Sequence, residues 1–358
     1  MSDQQNNNST NANQQASAVE ITENNLQQQT PAASDDQQQD SVVRFLFEQH
    51  GVRGEIVHMH QPITTLLANL STYPQPIKSL MLELASAAVL IAATLKTDGT
   101  VTVQIQGGRG PNALNFAFIN IDKNLNFYGN ASWDQEKAAK FQGKEDEANK
   151  LSFADLVGNG GILVISAFPE NGVRYQGIVA LDQDNLSRCL EEYFKDSEQL
   201  PTTLQLYHDI DQAQSGGLML QIIPNIEHNI ESLAHLSTLS ATLTAEELFS
   251  LSLHESLRRL YWNDQIVVYQ PEPVDFKCVC SKERILNAIR GLPLDELEEL
   301  AQEENGIDMT CHSCGKVYHV DMDEIKIIYA AARDEMEKNG TPDGSATVAN
   351  ATGAYQDK

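Results

Sequence analysis

Two periods of apolar residues organise the chain between residues 41 and 225. A nearly continuous apolar run over Ile77–Leu95 predicts a long buried helix, and Asp184–Lys195 predicts a second helix. Apolar residues at alternate positions over 101–105 predict a strand that follows a hairpin at Asp98-Gly99. Further strands are predicted over 114–121, 162–168, 173–180, 202–208 and 217–223. The interleaving of these elements predicts an α+β fold, with a mixed α/β core domain over residues 41–225.

The flanks of this core domain have patterns of their own. Leucines at helical spacing indicate a helical linker over residues 226–275; they are Leu233, Leu236, Leu239, Leu248, Leu251 and Leu257. A small module is predicted over 276–330, and residues 331–358 are predicted to hold the end of a C-terminal helix and a disordered tail. Residues 1–40 contain 17 Asn or Gln and no Lys or Arg. Such a segment buries too little surface to offset chain entropy, so we predict a disordered Gln/Asn-rich tail.

The composition limits the binding partners and the cellular compartment that the sequence predicts for this protein. The chain has 358 residues, 41% of them hydrophobic, and a formal net charge of −26 at pH 7. This charge repels polyanions, so the sequence predicts no nucleic-acid partner. No basic N-terminal region precedes an apolar run, and no stretch of about 18 uninterrupted apolar residues occurs, so neither export nor a membrane partner is predicted. Five cysteines in a chain of this kind indicate a cytoplasmic location, where clustered cysteines serve metal or redox chemistry.

Four of the cysteines form two tight pairs, Cys278-Val279-Cys280 and Cys311-His312-Ser313-Cys314. A C-x-x-C turn points two sulfurs at one centre, and four thiolates in a tetrahedral array suit Zn²⁺. We therefore predict one Zn²⁺ per reduced chain, with Cys278, Cys280, Cys311 and Cys314 as its ligands. Gly315 follows the second pair and can take the backbone conformation that such a turn often needs.

Other interpretations of these residues stay open at this point. A static zinc clip that only holds the fold together is the commonest meaning of four such cysteines, whereas structural disulfides and a thioredoxin-type site fit less well. His312 or His319 could serve as a ligand, although four thiolates already suffice. Cys189 has the neighbours of a buried helical face, which predicts a packed thiol. No constellation of side chains indicates catalysis, so we predict that the chain is not an enzyme.

The predicted module is too small and too acidic to depend on its own core. Residues 281–310 carry three positive and eight negative side chains and few apolar ones. Closing a loop of about 30 residues costs roughly 3 kcal/mol, whereas structural zinc supplies about 10–16 kcal/mol at neutral pH. Zinc is therefore the expected main stabiliser of the module. Because oxidation destroys thiolate ligands, thiol chemistry becomes a conformational signal.

Residues 275–284 and 307–315 closely resemble the zinc-centre signature of the heat-shock protein 33 family of bacterial redox-regulated holdase chaperones. Further similar segments occur upstream in the family's order; they are Tyr73-Pro74-Gln75-Pro76, Ala93-Thr94-Leu95-Lys96, Val157-Gly158-Asn159-Gly160, Arg174-Tyr175-Gln176-Gly177 and Ser197-Glu198-Gln199-Leu200-Pro201-Thr202. The resemblance covers roughly residues 42–330 and leaves out both tails.

The resemblance implies a function for the zinc centre. It implies an ATP-independent holdase that is zinc-bound and inactive when reduced. Oxidation of the four cysteines to disulfides, with zinc release and linker unfolding, is then expected to activate it toward unfolding client proteins. The implied disulfides are Cys278–Cys280 and Cys311–Cys314, although four cysteines by themselves allow three connectivities. A homodimer is expected in the oxidised state. The alternative is a constitutive zinc-clipped interaction module without redox switching.

Overall fold

The computed structural model describes residues 18–21, 40–95, 97–289, 306–311, 313–327 and 330. The strands in this part of the chain are β1 (Ala18–Ile21), β2 (Ser41–Phe47), β3 (Val52–Met59), β4 (Thr100–Gln106), β5 (Phe116–Ile121), β6 (Asn126–Ser132), β7 (Ile162–Phe168), β8 (Tyr175–Ala180), β9 (Thr202–Asp209), β10 (Gln214–Ile222), β11 (Ile266–Tyr269), β12 (Glu272–Pro273), β13 (Asp275–Phe276), β14 (Ile307–Thr310) and β15 (Val317–Val320). The helices are α1 (Gln61–Asn69), α2 (Gln75–Leu95), α3 (Gln135–Ala139), α4 (Glu145–Ala148), α5 (Phe153–Val157), α6 (Leu186–Asp196), α7 (Asn229–Ser240), α8 (Ala245–Ser250), α9 (Leu253–Leu260) and α10 (Lys282–Ile289). Residues 322–327 are also helical.

Two sheets form the frame of the first compact unit, which ends at Cys278. The seven-stranded sheet has the order β1-β11-β2-β3-β10-β9, with β12 also paired to β2. The six-stranded sheet has the order β13-β6-β5-β4-β7-β8, and its β13–β6 pairing is parallel. The other pairings in both sheets are antiparallel. The chain therefore has the mixed α/β architecture that the sequence predicts.

The long helix α2 lies in the main hydrophobic core, where it packs against strands of both sheets. Fourteen of its residues are buried. By length and composition α2 could cross a membrane, but 78% of its most apolar window is buried inside the structure, as in a core helix. The helix begins at Gln75, two residues before the predicted start, because Pro76 is tolerated in a first turn where its missing N–H has no helical partner.

The predicted linker, residues 226–275, folds onto the face of the seven-stranded sheet that points away from α2. Side chains alternate along β2, so Val42 belongs to the α2 core and Val43 to a second cluster. We call this second cluster the linker core; its buried members are Val43, Phe45, Phe47, Val52, Ile56, Leu218, Leu220, Ile222, Leu233, Leu236, Leu243, Leu248, Leu253, Leu257, Leu260, Tyr261, Ile266 and Val268. The linker helices therefore cover an apolar sheet surface.

The structure differs from several predicted boundaries. The division between compact units lies between Cys278 and Val279, so the linker belongs to the same unit as the core. The linker is also not wholly helical, because it contains β11 and β12. The predicted hairpin at Asp98-Gly99 is wrong, since these residues join α2 to β4. Gly99 is required there by close packing, because a Cβ would lie 1.8 Å from the carbonyl oxygen of Phe168.

The strand β1 lies within the segment 1–40 that the sequence predicts to be disordered. Its four residues pair in antiparallel register with β11. The prediction is therefore wrong for Ala18–Ile21, while residues 1–17 and 22–39 lie outside the described residues. The predicted helix end and tail over 331–358 also lie outside them.

The second unit, as far as the structure describes it, has a very small core. The hairpin of β14 and β15 pairs over four register positions. The buried side chains of this unit's core are Ile289, Val320 and Ile325, and the partly buried residues around them are Ile285, Leu286, Ile307, Met309 and Met322. Three fully buried side chains give little hydrophobic stabilisation, so this unit has reason to need a further source of stability.

Candidate metal centre

The turn between β14 and β15 presents Cys311 and Cys314. The N–H of Cys311 donates to the carbonyl oxygen of Lys316, and the N–H of Gly315 donates to the carbonyl oxygen of Cys311, both at 2.8 Å. Gly315 has a φ of 67°, the left-handed conformation in which glycine is favoured. The predicted backbone role of Gly315 is thus confirmed.

The first cysteine pair, Cys278 and Cys280, lies between β13 and α10. The strand before it is held in the six-stranded sheet, because the N–H of Lys277 donates to the carbonyl oxygen of Phe127 at 2.8 Å. The ring of Phe276 also packs edge-to-face on Phe127, with ring centroids 5.6 Å apart. On the other side, Oγ of Ser281 accepts a hydrogen bond from the N–H of Arg284 at 3.2 Å and caps α10.

The four sulfurs converge on one centre. The Sγ atoms of Cys278, Cys280, Cys311 and Cys314 all lie within 4.8 Å of one another, and those of Cys280 and Cys314 are 3.4 Å apart. Tetrahedral Zn–S bonds of about 2.3 Å would place neighbouring sulfurs roughly 3.8 Å apart. A disulfide would instead need about 2.05 Å. The donor chemistry and the spacing both fit a four-thiolate metal site, and the four side chains are half-buried, so small oxidants can reach them.

Tyr318 on β15 joins this cluster, and sequence reasoning missed it. Its hydroxyl lies 3.1 Å from Sγ of Cys280 and donates to the carbonyl oxygen of Cys280 at 3.1 Å. The hydrogen bond with Cys280, followed by burial and the charge of the cysteines, raises the pKa of Tyr318 to about 12. The ammonium group of Lys316 lies over the tyrosine ring, 4.8 Å from its centroid. Tyr318 therefore orients Cys280 and remains a neutral donor beside it.

Two other polar residues that the sequence places near the cysteines have partners of their own. Nδ1 of His319 lies 2.7 Å from Oδ1 of Asp308, so this histidine pairs with a carboxylate. His312 lies outside the described residues. Among the residues that the structure describes, the group able to hold a metal ion consists of the four cysteines alone. Lys282 forms an ion pair with Glu324, with 2.6 Å between Nζ and Oε1, and thereby ties α10 to residues 322–327.

The fifth cysteine, Cys189, is a packed thiol as predicted. It lies on α6 in the main core and is 1% exposed. Burial raises the pKa of this thiol, which makes its thiolate form less available for oxidation. Cys189 therefore serves as a natural control for the chemistry of the other four.

Comparisons with known proteins agree with this fold and this cluster. A family model described as Hsp33 protein matches residues 40–321. Proteins called 33 kDa chaperonin from Yersinia pestis (strain Pestoides F) and Yersinia pseudotuberculosis (serotype O:1b, strain IP 31758) are each 41% identical over 288 residues. These matches cover 80% of this chain and 94% of each relative.

A solved structure gives a further comparison at the level of the fold. The crystal structure of the 33 kDa chaperonin (heat shock protein 33 homolog) from Thermotoga maritima matches with a TM-score of 0.66 and 20% sequence identity, covering 82% of this chain and 99% of that one. Together, the family model and the 41% identity over most of both chains show that this protein belongs to the Hsp33 family.

Proposed function

We propose that this protein is a redox-regulated, ATP-independent holdase chaperone. Membership of the Hsp33 family supports a chaperone function. The observation that carries the proposed regulation is the convergence of four half-buried thiols in a unit whose described core has three fully buried side chains. In the reduced state Cys278, Cys280, Cys311 and Cys314 would hold one Zn²⁺, which supplies the folding free energy that the small core lacks.

Oxidation would reverse this stabilisation. Each disulfide forms when two thiolates lose two electrons to an oxidant such as hydrogen peroxide, which is reduced to water. We propose the pairs Cys278–Cys280 and Cys311–Cys314, as in the family resemblance. Since all four sulfurs lie within 4.8 Å of one another, the pairing rests on that resemblance and on the short sequence separations. These bonds close very small loops, so they restore less stability than loss of the metal removes.

The linker provides the surface that oxidation would expose. The linker helices α7 to α9 cover apolar residues of β2, β3 and β10. The segment that follows these helices leads directly into Cys278, so unfolding of the module would remove a folded anchor from the end of the linker. An uncovered apolar sheet face can bind the exposed apolar segments of an unfolding protein. It can also pair with a second chain, which gives the proposed homodimer in the oxidised state.

The remaining proposals follow from composition. A net charge of −26 favours protein clients over nucleic acid or anionic membrane surfaces. Thiolates that act as a switch require a reducing compartment at rest, so we place the protein in the cytoplasm. We propose no enzymatic activity for it.

The direct test is suppression of aggregation of a thermally unfolding test protein. The full-length chain is assayed reduced with zinc, after peroxide, and after peroxide followed by reductant and zinc. We expect activity only in the oxidised sample, because only that sample exposes the linker-covered face. A Cys189→Ser variant should behave like the native chain. Equal activity in all samples would favour the constitutive zinc-clipped module, and no activity in any sample would refute the chaperone function.

A further inference from the structure

The outer edge of the seven-stranded sheet is closed by a strand that lies outside the family match. The match begins at residue 40, whereas β1 comprises Ala18–Ile21. All four of its residues have register partners on β11: Ala18 with Tyr269, Val19 with Val268, Glu20 with Val267 and Ile21 with Ile266. The segment thus occupies the full length of the β11 edge.

The strand β11 relies on β1 for most of its backbone pairing. On its other side it pairs with β2 at two register positions only, Val267 with Leu46 and Val268 with Phe45. Its residues Ile266 and Val268 belong to the linker core. Without β1, this uncharged, β-branched strand would present an open edge, which is a template for another extended chain.

The resident strand is suited to exchange. It has four residues, so it makes few backbone hydrogen bonds with β11. Its β-branched residues Val19 and Ile21 are the register partners of the buried Val268 and Ile266. Any extended segment with β-branched or other apolar residues at alternate positions could make the same main-chain bonds, since strand addition derives its affinity from the backbone.

We propose that the β11 edge is a strand-addition site for extended apolar segments of unfolding clients, and that Ala18–Ile21 is the resident strand that competes with them. This inference rests on the proposed chaperone function. Main-chain recognition suits a chaperone, because it accepts many sequences. A second copy of the chain is a poorer occupant of this edge, because the few backbone bonds of a four-residue strand do not offset the repulsion between two chains of net charge −26. The larger apolar face proposed to pair two chains after oxidation stays covered in the reduced protein.

The test uses the full-length, reduced, zinc-loaded protein, so it does not depend on oxidation or on holdase activity. The variant carries Val19→Pro and Glu20→Pro together. Only alternate N–H groups of a strand point at a given partner, so replacing two neighbours removes whichever one bonds β11. The matched control carries Ala12→Pro and Asn13→Pro, the same change in the same tail but outside β1. The probe is a synthetic peptide of residues 16–23 of this chain, titrated to millimolar concentration.

Two readouts decide the proposal. Amide hydrogen exchange over 266–269 should be about tenfold faster in the variant than in the native chain or the control. The peptide should perturb the amide resonances of 266–269 in the variant at about tenfold lower concentration than in the control, whose resident strand competes within the same molecule. Equal exchange or equal peptide binding in variant and control would overturn the proposal. A variant dimer with protected β11 amides would overturn it too, by assigning the edge to a second copy. Failure of holdase activity in these proteins after oxidation would refute the proposed function separately.

Discussion

Truncation of Leu236 should activate the reduced protein without any oxidant. This side chain lies on α7 and is fully buried in the linker core. The buried leucines of α7 are Leu233 and Leu236, and Leu239 packs beside them partly buried, so loss of Leu236 removes a large share of its apolar attachment to the sheet. Replacing a buried Leu by Ala costs about 2–5 kcal/mol. If that loss falls on the equilibrium between closed and open linker, the open population rises roughly 30-fold to several thousand-fold.

The assay compares Leu236→Ala with a matched variant of the main core. Leu190 on α6 is equally buried but belongs to the α2 core, so Leu190→Ala removes the same atoms without touching the linker. Each reduced variant is checked for one bound zinc, for hydrogen exchange over 229–260, and for suppression of aggregation. We expect faster linker exchange and holdase activity in Leu236→Ala alone. The reasoning fails if Leu236→Ala opens the linker yet stays inactive, or if Leu190→Ala activates equally.

Three further predictions concern the metal, the turn and the core. Cys311→Ser should lose most of its bound zinc whereas Cys189→Ser keeps it, and X-ray absorption of the native site should show sulfur ligands only, at about 2.3 Å; nitrogen or oxygen in the first shell would contradict the ligand set. Gly315→Ala should weaken zinc binding about tenfold in chelator competition, because a residue with a Cβ costs about 1–2 kcal/mol in the left-handed conformation. The control is Gly143→Ala, which has the same left-handed conformation, with φ 71°, and free space around an added Cβ; it should leave zinc binding unchanged. Burial raises the pKa of Glu55 from 4.5 to about 7, despite the opposing charge of Arg53. The neutral carboxyl therefore favours the folded state at low pH, and this stability is lost as pH rises from 4.5 through about 7. In urea unfolding, Glu55→Gln should reduce the fall in unfolding free energy between pH 4.5 and about pH 7. An equal dependence of the unfolding free energy on pH in the variant and the native chain would refute the assignment.

The sequence predicts the elements whose apolar pattern is clear. The long apolar run of α2 and the strands β5, β7, β8, β9 and β10 appear close to their predicted positions. Among the strands that the sequence does not predict, β3 and β6 have broken apolar patterns. In β3 the apolar run is interrupted by Gly54, Glu55 and His58, and the last two are polar residues buried by tertiary packing. In β6 small and polar residues surround Phe127 and Tyr128, and pairing with β5 and β13 makes this segment a strand.

The candidate metal centre is likewise predicted only in part from the sequence. The spacing of the four cysteines predicts the metal site, because two close pairs of soft ligands have few uses other than metal binding or redox chemistry in a reducing compartment. Tyr318 carries no such signal. Its contact with Cys280 spans 38 residues, and it depends on how the β14–β15 hairpin lies against Cys280. The strand β1 was missed for another reason, since four residues of weak pattern inside an Asn/Gln-rich tail become a strand only where β11 offers an edge.

Hydrogen exchange of the full-length protein, followed during peroxide treatment together with zinc release and holdase activity, tests the central claim most directly. We predict that exchange rises sharply over 281–310 and over the linker helices, in parallel with the other two signals, while much of 41–225 stays protected. Reductant and zinc together should restore protection. An active, zinc-free protein with full protection over 281–310 would contradict the account, and so would a reduced, zinc-bound protein that is equally active.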